Sequence, residues 1–343
     1  MPTPFRTLTP DAQYHDDAVV ERAAANGLLD LVTLRERGAD AIPDAEWQAA
    51  EAILLWHECP IAPDLVPRLK KCRIIVRCGA GFDHVDLKAT GAAGIPVCNV
   101  PDYGTSEVAD HAMALMLTLR RNIVQYNDRV RADPVAGFDW SGPATTIRRI
   151  RGQSLGIVGL GRIGTATALR AKAFGLSVLV YDPYLPWGQE IALGITRMPD
   201  LHSLLAQSDI VSLNAPLTEE THHIIDAAAF SAMKPEAVLV NTARGGLIDL
   251  DALHAALKDG RIAAAGLDVM PQEPPKPDHP LMRDFKAQPD WIKGRLIVTP
   301  HAAWYSVESQ TDARRKAVET ALAYLRDGEL RNCVNTAFLK GRQ

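Results

Sequence analysis

Short apolar runs alternate with longer amphipathic stretches along most of the chain. Runs rich in Val, Ile and Leu read as strands buried on both faces, and the stretches between them carry apolar residues at helical spacing. In the first hundred residues the strands fall at 29–34, 52–55, 73–77 and 96–99, with helices near 17–26, 44–51 and 85–92. The Pro/Gly punctuation Val100-Pro-Asp-Tyr-Gly104 halts this series. One long helix is expected over 105–131, capped by Thr105 or Ser106, with Glu107 in its first turn. Strands resume at 155–158, 177–181, 210–213, 238–241, 263–267 and 296–299, and a last helix over 305–327 ends at Gly328.

One junction in this pattern carries a chemical signal. Leu155-Gly-Ile-Val-Gly-Leu-Gly-Arg-Ile-Gly164 places Gly159, Gly161 and Gly164 in G-x-G-x-x-G spacing between an apolar strand and an Ala-rich helix. Gly159 permits a tight turn, Gly161 lets backbone approach a pyrophosphate, and Gly164 allows close helix–strand packing. The N–H groups near Arg162 and Ile163 then face the phosphates at the positive end of the helix dipole. Asp182 lies 18 residues beyond Gly164, at the end of the next strand. A carboxylate there bonds both ribose hydroxyls and repels a 2′-phosphate, so NAD is expected rather than NADP.

Strand–helix alternation with this fingerprint predicts an α/β fold of two Rossmann-like, doubly wound parallel-sheet domains. A length of 343 residues agrees with two domains. The expected division is a flavodoxin-like substrate domain, 1–104 plus 303–343, and an NAD-binding Rossmann domain, 105–302.

Composition narrows the classes. A net charge of -4 gives no field that favours nucleic acid or anionic lipid, and the cluster Arg148, Arg149 and Arg151 reads as solvated surface. No apolar run is long enough for a membrane span, and the N-terminal residues show no signal peptide. The five cysteines lack metal or CxxC spacing, so reduced thiols in the cytoplasm and no metal site are expected. His222-His223 reads as a polar loop.

Three segments downstream of the fingerprint each follow an expected strand: Val240-Asn-Thr-Ala-Arg-Gly-Gly246, Leu267-Asp-Val-Met-Pro-Gln-Glu273 and Val298-Thr-Pro-His-Ala-Ala-Trp304. Arg244, Glu273 and His301 should therefore meet at the carboxyl edge of the sheet, where ligands bind. Together they suit reduction of a 2-keto acid. An imidazolium protonates the carbonyl oxygen as hydride arrives, a carboxylate orients the ring, and a guanidinium grips the substrate carboxylate.

At these residues the chain resembles the D-isomer-specific 2-hydroxyacid dehydrogenases, most of all their C-terminal binding protein branch. The resemblance runs from about Ile53 to Leu330 and is carried by Arg77-Cys-Gly-Ala-Gly-Phe-Asp-His-Val-Asp86, Val97-Cys-Asn-Val-Pro101, Arg149-Ile-Arg-Gly152, Leu169-Arg-Ala-Lys-Ala-Phe-Gly175, Tyr181-Asp-Pro-Tyr184 and His301-Ala-Ala-Trp-Tyr-Ser306. It implies that His301 is the acid/base, Glu273 its partner, and Arg244 the carboxylate and carbonyl ligand. It further implies that Gly79, Ala80 and Gly81 hold the substrate carboxylate, with Arg77 and Trp304 beside the substrate. Asp268, Thr242 and Ala243 would lie on the nicotinamide side of the cofactor, Val108 would touch the cofactor from the long helix, and a loop from Ala215 to Thr221 would cover the adenosine side.

The same resemblance implies a homodimer, to which the apolar face from Val108 to Leu119 would contribute, and a cleft between domains that closes over a small 2-keto or 2-hydroxy acid, with no direct nucleic-acid or membrane partner. An NAD(H)-sensing scaffold for partner proteins, or a dehydrogenase of a phosphorylated or sugar-derived acid, is the alternative. One departure stands out: 27 residues separate Glu273 from His301, and the extra material around 285–295 is expected as a rim, lid or subunit contact.

Overall fold

Within residues 3–141 and 147–339, which the computed structural model describes, twelve strands form two all-parallel sheets. They belong to two separate units, Met1–Gly104 with Tyr305–Gln343, and Thr105–Trp304.

In the first unit the strands are β1 (Phe5–Thr9), β2 (Leu29–Thr33), β3 (Ala52–Leu55), β4 (Ile74–Arg77) and β5 (Val97–Asn99), in the order β2-β1-β3-β4-β5. That is the flavodoxin-like order. Every residue of β3, β4 and β5 is buried. Burial on both faces is why these strands read as unbroken apolar runs. The sequence pattern missed β1, whose Thr7 and Thr9 are buried polar residues that break the run.

Helix Val307–Asp327 packs on β4 and on helix Val19–Ala25. Its buried Arg314 is held at 2.6–2.8 Å by Glu21 and Asp16, and its guanidinium lies over the Tyr14 ring. Four charge-assisted bonds compensate the cost of burying that cation.

The second unit contains β6 (Ser154–Val158), β7 (Ser177–Tyr181), β8 (Thr196–Arg197), β9 (Ile210–Leu213), β10 (Val238–Asn241), β11 (Ala264–Leu267) and β12 (Leu296–Val298). Its order, β12-β11-β10-β9-β6-β7-β8, reverses direction between β6 and β9, the topological switch point where such sheets bind dinucleotides. Six strands were expected here; the additional β8 has only two residues, too few for a periodicity to register.

Three local expectations change. The single helix over 105–131 is two helices, Thr105–Arg121 and Ile123–Ala132, because Asn122 turns left-handed at φ 54°. The apolar face from Val108 to Leu119 is buried inside its own unit, against β10, β11 and helix Arg162–Ala173, so it is not a subunit surface. The segment 285–295 joins the core as well: Phe285 and Trp291 pack on it, Ile292 is buried, and Arg295 donates to the Ile262, Ala263 and Trp291 carbonyls. Those contacts make it part of the sheet's packing rather than a lid.

Candidate active site

The glycines of the fingerprint divide by what crowds them. Gly159, just past β6, has φ +88°, and a Cβ there would lie 2.8 Å from the Ala215 backbone beyond β9. A Cβ on Gly164 would lie 2.2 Å from the Gly159 carbonyl oxygen. Protein packing alone therefore requires both glycines. Gly161 differs, since a Cβ there would meet nothing within 4 Å. That open space fronts the first turn of helix Arg162–Ala173, where Arg162 and Ile163 sit and where the dipole and unsatisfied N–H groups favour a phosphate.

Asp182 follows β7 directly. One of its oxygens accepts from the Leu160 N–H and the other from the Tyr184 N–H, each at 2.9 Å, which ties the acid to the glycine turn. Thr242, just beyond β10, keeps a buried hydroxyl with no protein partner. An orphaned hydroxyl and an open glycine cradle suit a polar, phosphate-bearing cofactor. Ala243 donates its N–H to the Asn241 side chain, and Val108 is buried in the helix that starts at Thr105. The Thr221 hydroxyl instead donates to the Pro216 carbonyl and accepts from the Thr218 N–H, so it shapes its own loop.

The strand ends bring the expected trio together. His301 Nδ1 lies 2.6 Å from Glu273 Oε2, while Glu273 Oε1 accepts from the Met270 N–H at 2.9 Å. Burial alone would raise the Glu273 carboxyl, but its hydrogen bond to His301, the His301 charge, the Met270 N–H and the Arg244 charge together hold it below the usual carboxylate range. Arg244 begins the turn Gly245–Leu247, and a Cβ on Gly245 would sit 1.9 Å from the Met270 carbonyl carbon. Only glycine lets the Arg244 turn press against the loop that carries Glu273. His301 itself has φ 52°, a left-handed conformation uncommon for a residue with a side chain.

Asp268 explains how that backbone is held. Its carboxylate accepts from the Thr299 hydroxyl at 2.6 Å and from the Ala302 and Ala303 N–H groups at 2.9 Å, and its carbonyl accepts from the His301 N–H at 2.7 Å. The resemblance implies a place for Asp268 beside the nicotinamide, and in the structure its oxygens also hold the loop on which His301 rides. His111 joins this cluster, with Nε2 3.0 Å from the Thr299 hydroxyl and 3.6 Å from Asp268. Sequence reading passed over His111 because a lone histidine inside a helix gives no spacing signal.

The substrate residues expected outside the trio have distinct settings. Arg77 ends β4, buried, and its guanidinium folds over Gly79, where a Cβ would overlap Nη1 at 1.4 Å. Arg77 Nε is buried without a hydrogen-bond partner. The Gly79 N–H donates to the Arg77 carbonyl, so it is spent and does not face an anion. The Asn99 amide donates to the Ala80 carbonyl at 2.7 Å and braces the turn that continues through Gly81. Trp304 is half-buried three residues beyond His301, at the end of the second unit.

Residues 113–303 match the model for the D-isomer specific 2-hydroxyacid dehydrogenase, NAD binding domain. The chain belongs to this family. The matched span lies within the second unit, Thr105–Trp304. The chain is similar to a glyoxylate reductase of Korarchaeum cryptofilum, with 39% identity over 82% of each protein. It is also 36% identical to a D-3-phosphoglycerate dehydrogenase of Methanocaldococcus jannaschii over 83% of this chain, a match spanning 52% of that relative's length. Among solved structures it resembles a D-lactate dehydrogenase of Aquifex aeolicus complexed with NAD and lactic acid, with 30% identity, a TM-score of 0.80, and coverage of 94% of this chain and 95% of that one. All three are enzymes by name, and the scaffold alternative is not favoured.

Proposed function

We propose that the protein interconverts a small 2-keto acid and the corresponding D-2-hydroxy acid with NAD as the redox partner. The 2.6 Å contact between His301 and Glu273, set at the carboxyl edge of the fingerprint-bearing sheet, carries this reading. NAD, when bound, supplies or accepts the hydride. His301 gives its proton to the substrate oxygen in reduction and takes it back in oxidation. Glu273 fixes the ring through Nδ1, and the proton exchanged with the substrate is assigned to Nε2. Arg244 pairs with the substrate carboxylate, and the developing oxygen charge falls within reach of the same cations.

Preference for NAD over NADP rests on Asp182, whose charge would repel a 2′-phosphate. Arg77, with its buried unpartnered Nε, and the turn through Ala80 and Gly81 offer a cationic and backbone setting suited to a carboxylate. Trp304 walls the substrate's side chain, a feature that supports placement near the C-terminal binding protein branch.

A homodimer fits a different surface from the one expected. Helix Ile123–Ala132 buries none of its residues, and Val135, Phe138 and Trp140 beyond it are 83–88% exposed. Three apolar side chains so exposed within six residues favour a protein partner, here a second copy. A cytoplasmic location is supported by five cysteines that are all thiols.

The test is NADH oxidation with a panel of 2-keto acids, glyoxylate, pyruvate and a phosphorylated acid among them, beside His301→Ala. Turnover of at least one acid, lost by a factor of about a hundred or more in the variant, is the expected result. Equal rates for the two proteins would remove His301 from the mechanism.

A further inference from the structure

We propose that Cys98 and Cys333 form a reversible disulfide site in the first unit, closed by exchange with a small disulfide-bearing oxidant. β5 is the edge strand of its sheet, and the chain beyond the closing helix returns to cover that edge. The Asn99 N–H donates to the Asn332 carbonyl at 3.2 Å, and the Val334 N–H donates to the Val97 carbonyl at 2.8 Å. These two bonds flank Cys98 and Cys333, so the cysteines are directly opposed in the antiparallel bridge as a non-hydrogen-bonded pair.

That pairing is the close one of an antiparallel ladder, with Cα atoms about 4.5 Å apart and side chains on one face. A disulfide needs a Cα separation of roughly 4.4–6.8 Å. The backbone therefore already holds the geometry of a bridge, with the two thiols side by side.

The surroundings divide the labour. Cys98 is fully buried, and its hydrogen bond to Cys333, then its burial, push its thiol well above the ordinary range. Cys333 is the less buried residue of the two, so it is assigned the first attack. Its thiol donates to the Asn335 side chain at 3.3 Å. Asn335 in turn pins the returning segment, accepting from the Val97 N–H and donating to the Ile95 carbonyl and the Thr90 hydroxyl.

In the first step the Cys333 sulfur attacks the oxidant's S–S bond, forms a mixed disulfide and releases one small thiol. In the second, the Cys98 sulfur attacks Cys333, the protein disulfide forms, and the second small thiol leaves with the Cys98 proton. Two protein thiols are oxidised and one small disulfide is reduced to two thiols. A bridge formed this way in a reducing compartment would be transient and responsive to oxidant. It would add a covalent tie between β5 and the segment that covers it, and it would close a loop with 234 residues between its ends.

The full chain, exposed to oxidised glutathione, should be alkylated, digested without reductant and read by mass spectrometry, beside a thermal melt. The expected product joins the Cys98 and Cys333 peptides with loss of two hydrogens, reverts with dithiothreitol, and melts about 5 °C or more above the reduced protein. Cys333→Ser and, separately, Cys98→Ala should lose both the cross-link and the melting shift; each variant is first melted under reducing conditions, so a folding defect is seen directly. A glutathione adduct that stops at Cys333, a cross-link through Cys59, Cys72 or Cys78, or thiols that stay unreacted while the protein is folded would each overturn the proposal.

Discussion

Glu273 spans two loops: one carboxylate oxygen lies 2.6 Å from His301 Nδ1, and the other takes the Met270 N–H at 2.9 Å. The acid that orients the ring is thus itself anchored to the strand-end backbone, which restricts both partners to one arrangement.

Glu273→Gln keeps the shape but loses the charge that steadies an imidazolium. Activity should fall about 10- to 100-fold, mainly in kcat, and the pH profile of kcat/KM should move while substrate binding changes little. A KM effect alone would contradict this role. The stability sign also follows. A carboxyl held below its ordinary value contributes stability that is present above the unfolded value of about 4.3 and is lost as pH falls through the folded one. The melting difference between the wild type and Glu273→Gln should therefore shrink below about pH 4.

The crowding around the glycines separates fold from cofactor. Gly161→Ala meets nothing within 4 Å, so the melting temperature should hold while NADH affinity drops tenfold or more, because a methyl group enters the phosphate space. Gly164→Ala collides with the Gly159 carbonyl and should lower both. Calorimetric titration beside thermal melts distinguishes the two; equal loss of stability in both variants would overturn the assignment of Gly161.

Asp182→Ala should relax discrimination against NADPH by about 1–2 kcal/mol as a like-charge repulsion disappears. The variant also loses an acceptor for the Leu160 and Tyr184 N–H groups, so some NADH affinity should go with it. The ratio of kcat/KM for the two cofactors is the readout, and an unchanged ratio refutes the role.

Asp11 gives a second pH test, remote from the trio. Burial raises its carboxyl to about 6, against the pull of three backbone N–H donors, from Trp56, Cys59 and Glu58, and of the Arg77 charge. The folded state then holds a proton that the unfolded state releases near 3.8, so this group's contribution is full below that value and lost as pH rises through 6. Asp11→Asn can accept through one oxygen only and should cost about 2 kcal/mol at pH 7. Denaturant melts from pH 4 to pH 7 should show the wild type's downward slope flattened in the variant.

Much of the architecture was legible because its strands are buried on both faces. β3, β4, β9 and β10 are buried at every position and apolar at nearly all of them. β1 and β8 were not legible: one buries threonines, the other has two residues. Asn122 hid the break between two helices, since the polar residues beside it fit either reading.

The sequence by itself determined the class of fold, the nucleotide turn and the short list from which any acid, base and cation must come, because glycine spacing and strand-end chemistry are local. Only the tertiary structure decided that Asp268 spends its oxygens on the His301 loop, that His111 belongs beside it, that the face from Val108 to Leu119 is core, and that Cys98 faces Cys333. Those partners are brought together from distant points in the chain by sheet order and strand register, and neither is written in any single segment.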